Sequence, residues 1–189
     1  MVNAFSEYER APNISMEPID LNAIVKEVLD LYSSNDLNVK IIKQLDAEPA
    51  RIEGDAGRLR QLLHNLVKNG LEAVNGTAGA RVTVATRSMQ SGGMDYIELC
   101  VSDNGSGFSA GVLDNVFEPY VSTKPKGSGL GLAIVKKIVE EHGGIIVAEN
   151  LQSGGALIRI RLQSLHEDAT GDEVLHSSGE TLSSGNGGL

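Results

Sequence analysis

Three glycines spaced two apart, Gly127, Gly129 and Gly131, run straight into an apolar-periodic stretch at 132–142, and nothing else in the chain restricts its fold as tightly. Leu132, Ile134, Val135, Ile138 and Val139 recur at helical spacing, so this helix must bury one face and the glycines cannot belong to a free linker. The first turn of a helix leaves its N–H groups unpaired at the positive end of the dipole, and residues without a Cβ let anionic oxygens reach them. Lys124 and Lys126 add positive charge from the preceding loop, which makes the segment a candidate phosphate site. The spacing G-x-G-x-G fits neither the dinucleotide fingerprint nor the P-loop, and a charged loop rather than a strand leads into it.

The 189 residues, 41% hydrophobic and 22% charged, provide for one medium domain plus appendages. The net charge of −9 would repel a nucleic-acid backbone or an anionic membrane over most of the surface. Much of that charge lies in 164–189, where Glu167, Asp168, Asp172, Glu173 and Glu180 stand among Ser and Gly with no Lys or Arg. Such a composition cannot bury itself, so a disordered acidic tail is expected there. The remaining 16 basic and 20 acidic residues leave 1–163 only mildly acidic. One cysteine, Cys100, excludes a disulfide framework or a multi-Cys zinc site and suits a strand residue in a reducing compartment. No apolar run is long enough to cross a bilayer, and residues 1–12 lack a secretion signal, so a cytoplasmic location is expected.

Along the chain, residues 1–18 with Pro12 and Pro18 read as a lead-in without its own fold. Asp20 can cap a helix whose Leu21, Ile24, Val25, Val28, Leu29 and Tyr32 form one stripe. Short strands are expected at 38–45 and 51–54, a helix at 57–74, and antiparallel strands at 81–87 and 96–102 around the hairpin loop SMQSGGMD. A short helix at 109–115 and a Gly/Pro/Lys-rich loop at 117–131 precede the helix at 132–142, with Gly143 as its C′ cap. Strands at 145–150 and 156–162 about the turn LQSGG complete the domain.

Within the helix segment HNLVKNGLEAV, Asn65, Asn69 and Glu72 stand at i, i+4 and i+7 and line one polar edge. Neutral carboxamide oxygens are hard ligands, able to hold a magnesium ion that keeps its charge for phosphates, and Asn69 is the candidate metal ligand. Two asparagines on the wet side of a helix are a weak signal alone. DNGSGF at 103–108 follows a strand, with Gly105 and Gly107 permitting positive φ and close ligand approach. Asp103 there could accept from the exocyclic amine of adenine, although DNG by itself is an ordinary turn.

In this order and over about eighty residues, the segments resemble the ATP-binding domain of the GHKL superfamily, most closely that of sensor histidine kinases. HNLVKNGLEA is similar to the N box, DNGSG to the G1 box, FEPY to the F box, GSGLG to the G2 box, and QSGGA at 152–156 to the last glycine-rich turn. The STKPKGSGLGLAIVKKIVEEHGG run and the MEPIDLNAIVKEVLDLY lead resemble nitrogen-regulation kinases of the NtrY/NtrB type. The resemblance implies an α+β Bergerat fold, a two-layer sandwich of mixed sheet with helices on one face and a glycine-rich ATP lid at about 121–128. It implies an ATP-binding domain at 18–163, preceded at 1–17 by the end of a dimerisation helix or linker and followed by the tail. It implies ATP and Mg2+ as cofactors, with Asn65, Asn69 and Lys124 as catalytic residues and Asn69 on the metal. Nucleotide contacts fall on Asn65, Asn69, Asp103, Gly105, Gly107, Phe117, Lys124, Lys126, Gly127, Ser128, Gly129, Leu130 and Gly131, with Phe117 anchoring the lid. Gly70, where the family usually has alanine, should cost the helix about 1 kcal/mol. Glu72 occupies a position that is basic in some members.

The ATP-hydrolysing branch of that superfamily carries a glutamate one turn before the metal asparagine; here the position is Asn65, and an amide cannot take a proton from water. Phosphoryl transfer to an imidazole brings its own nucleophile, so a kinase is favoured. None of His64, His142, His166 and His176 sits in the H-E-x-[KR]-x-P setting of the family's acceptor. The partners expected are therefore a histidine-bearing dimerisation domain of a membrane-anchored parent sensor and a response regulator, with the chain itself monomeric and free of membrane contact. Weaker readings are an anti-sigma-type serine kinase, an ATPase, and a nucleotide-binding module without catalysis.

Overall fold

The computed structural model describes residues 13–32, 38–121 and 128–165. The elements are β1 (Glu17–Asp20), α1 (Leu21–Asp30), β2 (Lys40–Leu45), β3 (Arg51–Gly54), α2 (Ala56–Ala73), β4 (Arg81–Ser91), β5 (Met94–Asp103), α3 (Ala110–Leu113), α4 (Gly131–Glu141), β6 (Ile145–Asn150) and β7 (Ala156–Gln163). Five strands form a mixed sheet in the order β2-β4-β5-β7-β6; β2 and β4 are parallel, and the other neighbours antiparallel. A parallel pair needs a crossover, which β3 and α2 provide. Val82 and Val84 of β4, Ile97, Leu99 and Val101 of β5, and Ile158, Ile160 and Leu162 of β7 share one sheet face and a core with α1, α2 and α4. The α+β class and the one-sided helix layer expected from the resemblance are both found.

Asp55 caps α2, its Oδ1 accepting from the Arg58 N–H at 3.0 Å. Leu59, Leu62, Leu63, Leu66 and Val67 below it are buried, each side chain worth roughly 1.5–3 kcal/mol relative to exposure. The start of α2 is tied to the end of α4 by the Arg58 guanidinium, which donates to both oxygens of Glu141 at 2.7–2.9 Å. His142 Nε2 accepts from the Asp55 N–H at 3.0 Å, so its proton sits on Nδ1, 2.7 Å from the Ile138 carbonyl. Gly143 is the C′ residue of α4 with φ 63°: its N–H donates to the Glu140 carbonyl at 3.0 Å and that of Gly144 to Val139 at 2.9 Å, a Schellman ending.

The structure departs from the sequence reading at five places. Residues 17 and 18, read as the end of a foldless lead-in, open β1 (Glu17–Asp20), antiparallel to β3; a two-stranded ribbon tolerates Pro18 because one side of each strand is unpaired. The stretch SMQSGGMD is mostly ladder, with Ser88 opposite Ile97 and Gln90 opposite Asp95, and only Gly92 and Gly93 turn, at φ 60° and 79°. The helix expected at 109–115 contracts to Ala110–Leu113, and the one expected at 132–142 starts at Gly131. Gly70 is more than a weak helix former: a Cβ there would lie 3.2 Å from both γ-methyls of Val82, so alanine's helix propensity would be offset by crowding against β4.

The opposite face of the sheet carries no helix of the core, and Glu98 is fully buried on it. Its carboxylate accepts from Arg87 Nε at 2.8 Å and Arg161 Nε at 2.9 Å, with Arg159 Nε 3.6 Å away. Burial pushes this carboxyl upward, but the bonds from Arg161 and Arg87 and the charges of Arg87 and Arg159 outweigh it and hold the group below the ordinary carboxylate range. A lowered folded-state value contributes stability that is full above the unfolded value near ~4.3 and is lost as pH falls through the folded one. Glu98→Gln is therefore expected to cost about 2 kcal/mol at pH 7, a difference that narrows as acid protonates the parent; thermal melts of both proteins at pH 7 and at pH 3 check it.

Candidate functional site

The polar edge of α2 meets the start of α4. A Cβ on Gly131 would stand 3.5 Å from Asn69 Nδ2, 3.6 Å from Asn65 Oδ1 and 3.8 Å from Asn69 Oδ1, in ordinary van der Waals contact with both carboxamides. Asn65 Nδ2 donates to the Gln61 carbonyl at 3.1 Å, which fixes that amide and leaves Oδ1 as the atom toward Gly131. Leu130, the N-cap of α4, makes no side-chain cap bond and is itself buried, so among the described residues no side chain caps the first N–H groups of the helix. Uncapped donors beside two neutral carboxamides suit a phosphate chain with its cation. Two carboxamide oxygens at a helix start able to take phosphate would fit magnesium, which commonly takes few protein ligands and the rest from phosphate and water. Among the described residues no group of three or more His, Cys, Asp or Glu could hold a metal by itself.

Asp103 ends β5. Its Oδ1 accepts from the Gly105 N–H at 2.8 Å and the Ala156 N–H at 3.3 Å, which joins the DNG turn to the start of β7. Its Oδ2 has no protein partner among the described residues. The glycines here are demanded by contact. A Cβ on Gly105 would collide with the Ala73 carbonyl oxygen at the end of α2, and one on Gly155, at φ 95°, would overlap the Asp103 carbonyl oxygen. Gly107, at φ 71°, lies against Asn150, whose Oδ1 accepts from the Phe108 N–H and whose Nδ2 donates to the Phe108 carbonyl, both at 2.7 Å. Asn150 is a positioning residue that sequence reasoning missed. It closes one strand and its partner is 42 residues away, so no local pattern marks it.

Phe117 is half-buried and packs against the core. Tyr120 donates its N–H to the Gly129 carbonyl at 3.0 Å, and a Cβ on Gly129 would lie 2.6 Å from the Tyr120 carbonyl carbon; both residues hold φ 67°. This clasp closes the base of the segment between them. Ser128 Oγ accepts from the Leu130 N–H at 3.4 Å. Lys124, Lys126 and Gly127, three of the expected contacts, lie outside the described residues, as do His166 and His176. Asn65, Asn69 and Gly131 are thus brought together directly. Asp103 and Gly105 join them through Ala73, one turn beyond Asn69. Glu72 is exposed.

A one-sided mixed sheet with two glycine turns and an uncapped helix around paired asparagines defines a nucleotide-handling domain of the GHKL kind. Residues 54–166 match the family described as Histidine kinase-, DNA gyrase B-, and HSP90-like ATPase, and the chain belongs to that family. It is 38% identical over 164 residues to the sensor histidine kinase ZraS of Klebsiella oxytoca, covering 86% of this chain and 34% of that protein. With an NtrY-like sensor histidine kinase of Rickettsia bellii it shares 31% over 161 residues, 85% of this chain and 26% of that one. The solved structure of histidine kinase ThkA in complex with response regulator protein TrrA aligns with a TM-score of 0.71 at 26% identity, over 85% of this chain and 45% of that one. The likeness to sensor histidine kinases read from the boxes is therefore found, with ZraS-type and NtrY-like sensors both among the relatives. The chain spans about a third of the ZraS length it matches. Among the described residues, no helix is long and apolar enough to cross a membrane.

Proposed function

We propose that this domain binds Mg-ATP and transfers the γ-phosphoryl group to a histidine on a separate dimerisation domain, from which a response regulator then takes it. The observation that carries the reading is the juxtaposition of Gly131 with the Asn65 and Asn69 carboxamides at an uncapped helix start. From Asn65 to Ala73 the helix rises about 12 Å, enough to set an adenine at Asp103 and a triphosphate at Gly131. Asp103 Oδ2 accepts from the adenine amine, Asn65 and Asn69 present oxygens to the phosphate end, and the N–H groups of α4 hold phosphate oxygens. Magnesium on Asn69, when bound, neutralises charge between the phosphates. Lys124, Lys126 and Gly127 belong to the same phosphate end.

Transfer forms a bond from the acceptor imidazole nitrogen to the γ-phosphorus as its bond to the bridging oxygen breaks, and ADP leaves with that electron pair. The chain's part is positioning and charge stabilisation, because Asn65 provides no general base for water. The described histidines are engaged elsewhere. His142 uses both ring nitrogens, and His64 Nδ1 is hydrogen-bonded to Tyr32 Oη at 2.9 Å. The acceptor on this reading comes from another domain.

The test mixes the chain with γ-labelled ATP and dimerisation domains of candidate sensors. Acid-labile label on the added domain, and none on the chain alone, is the expected result. Acid-stable label on a serine would favour the serine-kinase reading, and steady phosphate release without protein labelling would favour an ATPase.

A further inference from the structure

The helix-free face of the sheet is basic although the chain is acidic. Strand register puts Lys40 of β2, Arg81 and Arg87 of β4, and Arg159 and Arg161 of β7 on this face, against Glu98 of β5 and Glu149 of β6. Five cations face two carboxylates on a chain whose net charge is −9. Both carboxylates are consumed locally: Glu98 binds Arg87 and Arg161, and Glu149 accepts from Arg159 at 2.7 Å. Among the described residues no carboxylate pairs with Lys40 or Arg81. Arg87 remains 61% exposed and Arg161 38%, so the Glu98 carboxylate splays their guanidiniums without covering them. Ile145 and Val147, opposite Arg161 and Arg159 on β6, are 59% and 46% exposed and lend the same face apolar ground.

The C-terminal end of β7 lies beside this face. Gln163 of β7 pairs with Tyr96, the Ser164 N–H donates to the Asp95 carbonyl at 2.9 Å and the Leu165 N–H to Arg51 at 2.8 Å, four residues past Arg161. The sequence continues through 166–189 with five acidic residues, no Lys or Arg, and Val174 and Leu175 directly after Asp172 and Glu173. Five strands about 4.8 Å apart span roughly 19 Å, whereas a chain of this length reaches on the order of 25–30 Å. Opposite charge, matching apolar residues, tethering at the face's edge and sufficient reach converge on one occupant. We propose that the acidic segment 166–189 binds the helix-free face of its own sheet through Lys40, Arg81, Arg87, Arg159 and Arg161.

Paramagnetic relaxation on the full chain tests this without any partner or nucleotide. Cys100→Ser removes the native thiol, Ser177→Cys carries a nitroxide, and amide intensities are read in a 15N-labelled chain. At low salt, broadening is expected at Arg87, Glu98, Arg159 and Val147 and not on α1 or α2. It should fade at 1 M NaCl, where the screening length falls to about 3 Å. The further changes E167Q, D168N, D172N and E173Q, which remove four of the five acidic groups of the segment, should abolish it. Unbroadened face amides at low salt would overturn the proposal, as would broadening that ignores salt and the neutralised carboxylates. Broadening that appears only between a spin-labelled unlabelled-nitrogen chain and a separate 15N chain would identify a second copy as the occupant and overturn it equally.

Discussion

Asn69→Ala is expected to lower phosphoryl transfer to a supplied histidine domain by about 10²–10³-fold, the usual loss when one preorganised group facing the transferring charge is removed. The side chain stands within 3.5–3.8 Å of the position a Gly131 Cβ would take, at the uncapped start of α4, so its oxygen lies where the phosphate end is proposed to sit. Among the described residues it makes no side-chain hydrogen bond like that of Asn65 with Gln61, and alanine is the better helix former. Thermal stability should therefore stay within about 1 kcal/mol of the parent. Single-turnover transfer measured across a magnesium titration separates the possibilities. A metal role predicts that the variant needs more magnesium and still turns over slowly, whereas an undiminished rate at ordinary magnesium would remove Asn69 from the site.

The legible parts of this molecule are those in which local chemistry repeats with a period. The stripe of Leu59, Leu62, Leu63, Leu66 and Val67 announces α2 and which side it buries, and the glycine spacing before Leu132 announces the start of α4. The site residues can be named because carboxamides one turn apart and glycines after a strand are chemical statements even before they are placed. Gly155 and Asn150 illustrate what cannot be read. The first is glycine because its missing Cβ admits the Asp103 carbonyl from another strand, and the second clamps Phe108 across 42 residues. Neither contact exists until β5, β6 and β7 are in register. β1 is hidden for a related reason: its four residues become a strand only by pairing with β3, and Pro18 obscures the pattern. The hairpin loop looks longer in sequence than it is because Ser, Gln and Asp on an exposed ladder resemble loop composition, while only the two glycines hold φ values a turn requires.

Asp103→Asn should exchange the base preference of the site instead of merely weakening it. In the parent, Oδ1 is committed to the Gly105 and Ala156 N–H groups, and Oδ2, without a protein partner among the described residues, is the oxygen proposed to accept from an exocyclic amine. Asparagine can keep the two backbone bonds only by turning its carbonyl oxygen toward them, which aims its NH2 at the ligand. A donor then meets the amine of adenine, itself a donor, while the same NH2 suits the carbonyl that guanine presents at the equivalent position. Loss of a charge-assisted bond worth ~1.5–3 kcal/mol corresponds to a fall in ATP affinity of roughly 10–100-fold. GTP, whose base carbonyl would face the parent carboxylate as one acceptor against another, should bind no worse to the variant and should gain relative to ATP. The Gly105 turn must hold for this outcome, so the circular dichroism spectrum and melting temperature should match the parent closely. Competition of ATP and GTP for the magnesium-loaded protein measures the ratio directly. An ATP-to-GTP preference unchanged by the substitution would mean that Asp103 shapes the turn and reads no base.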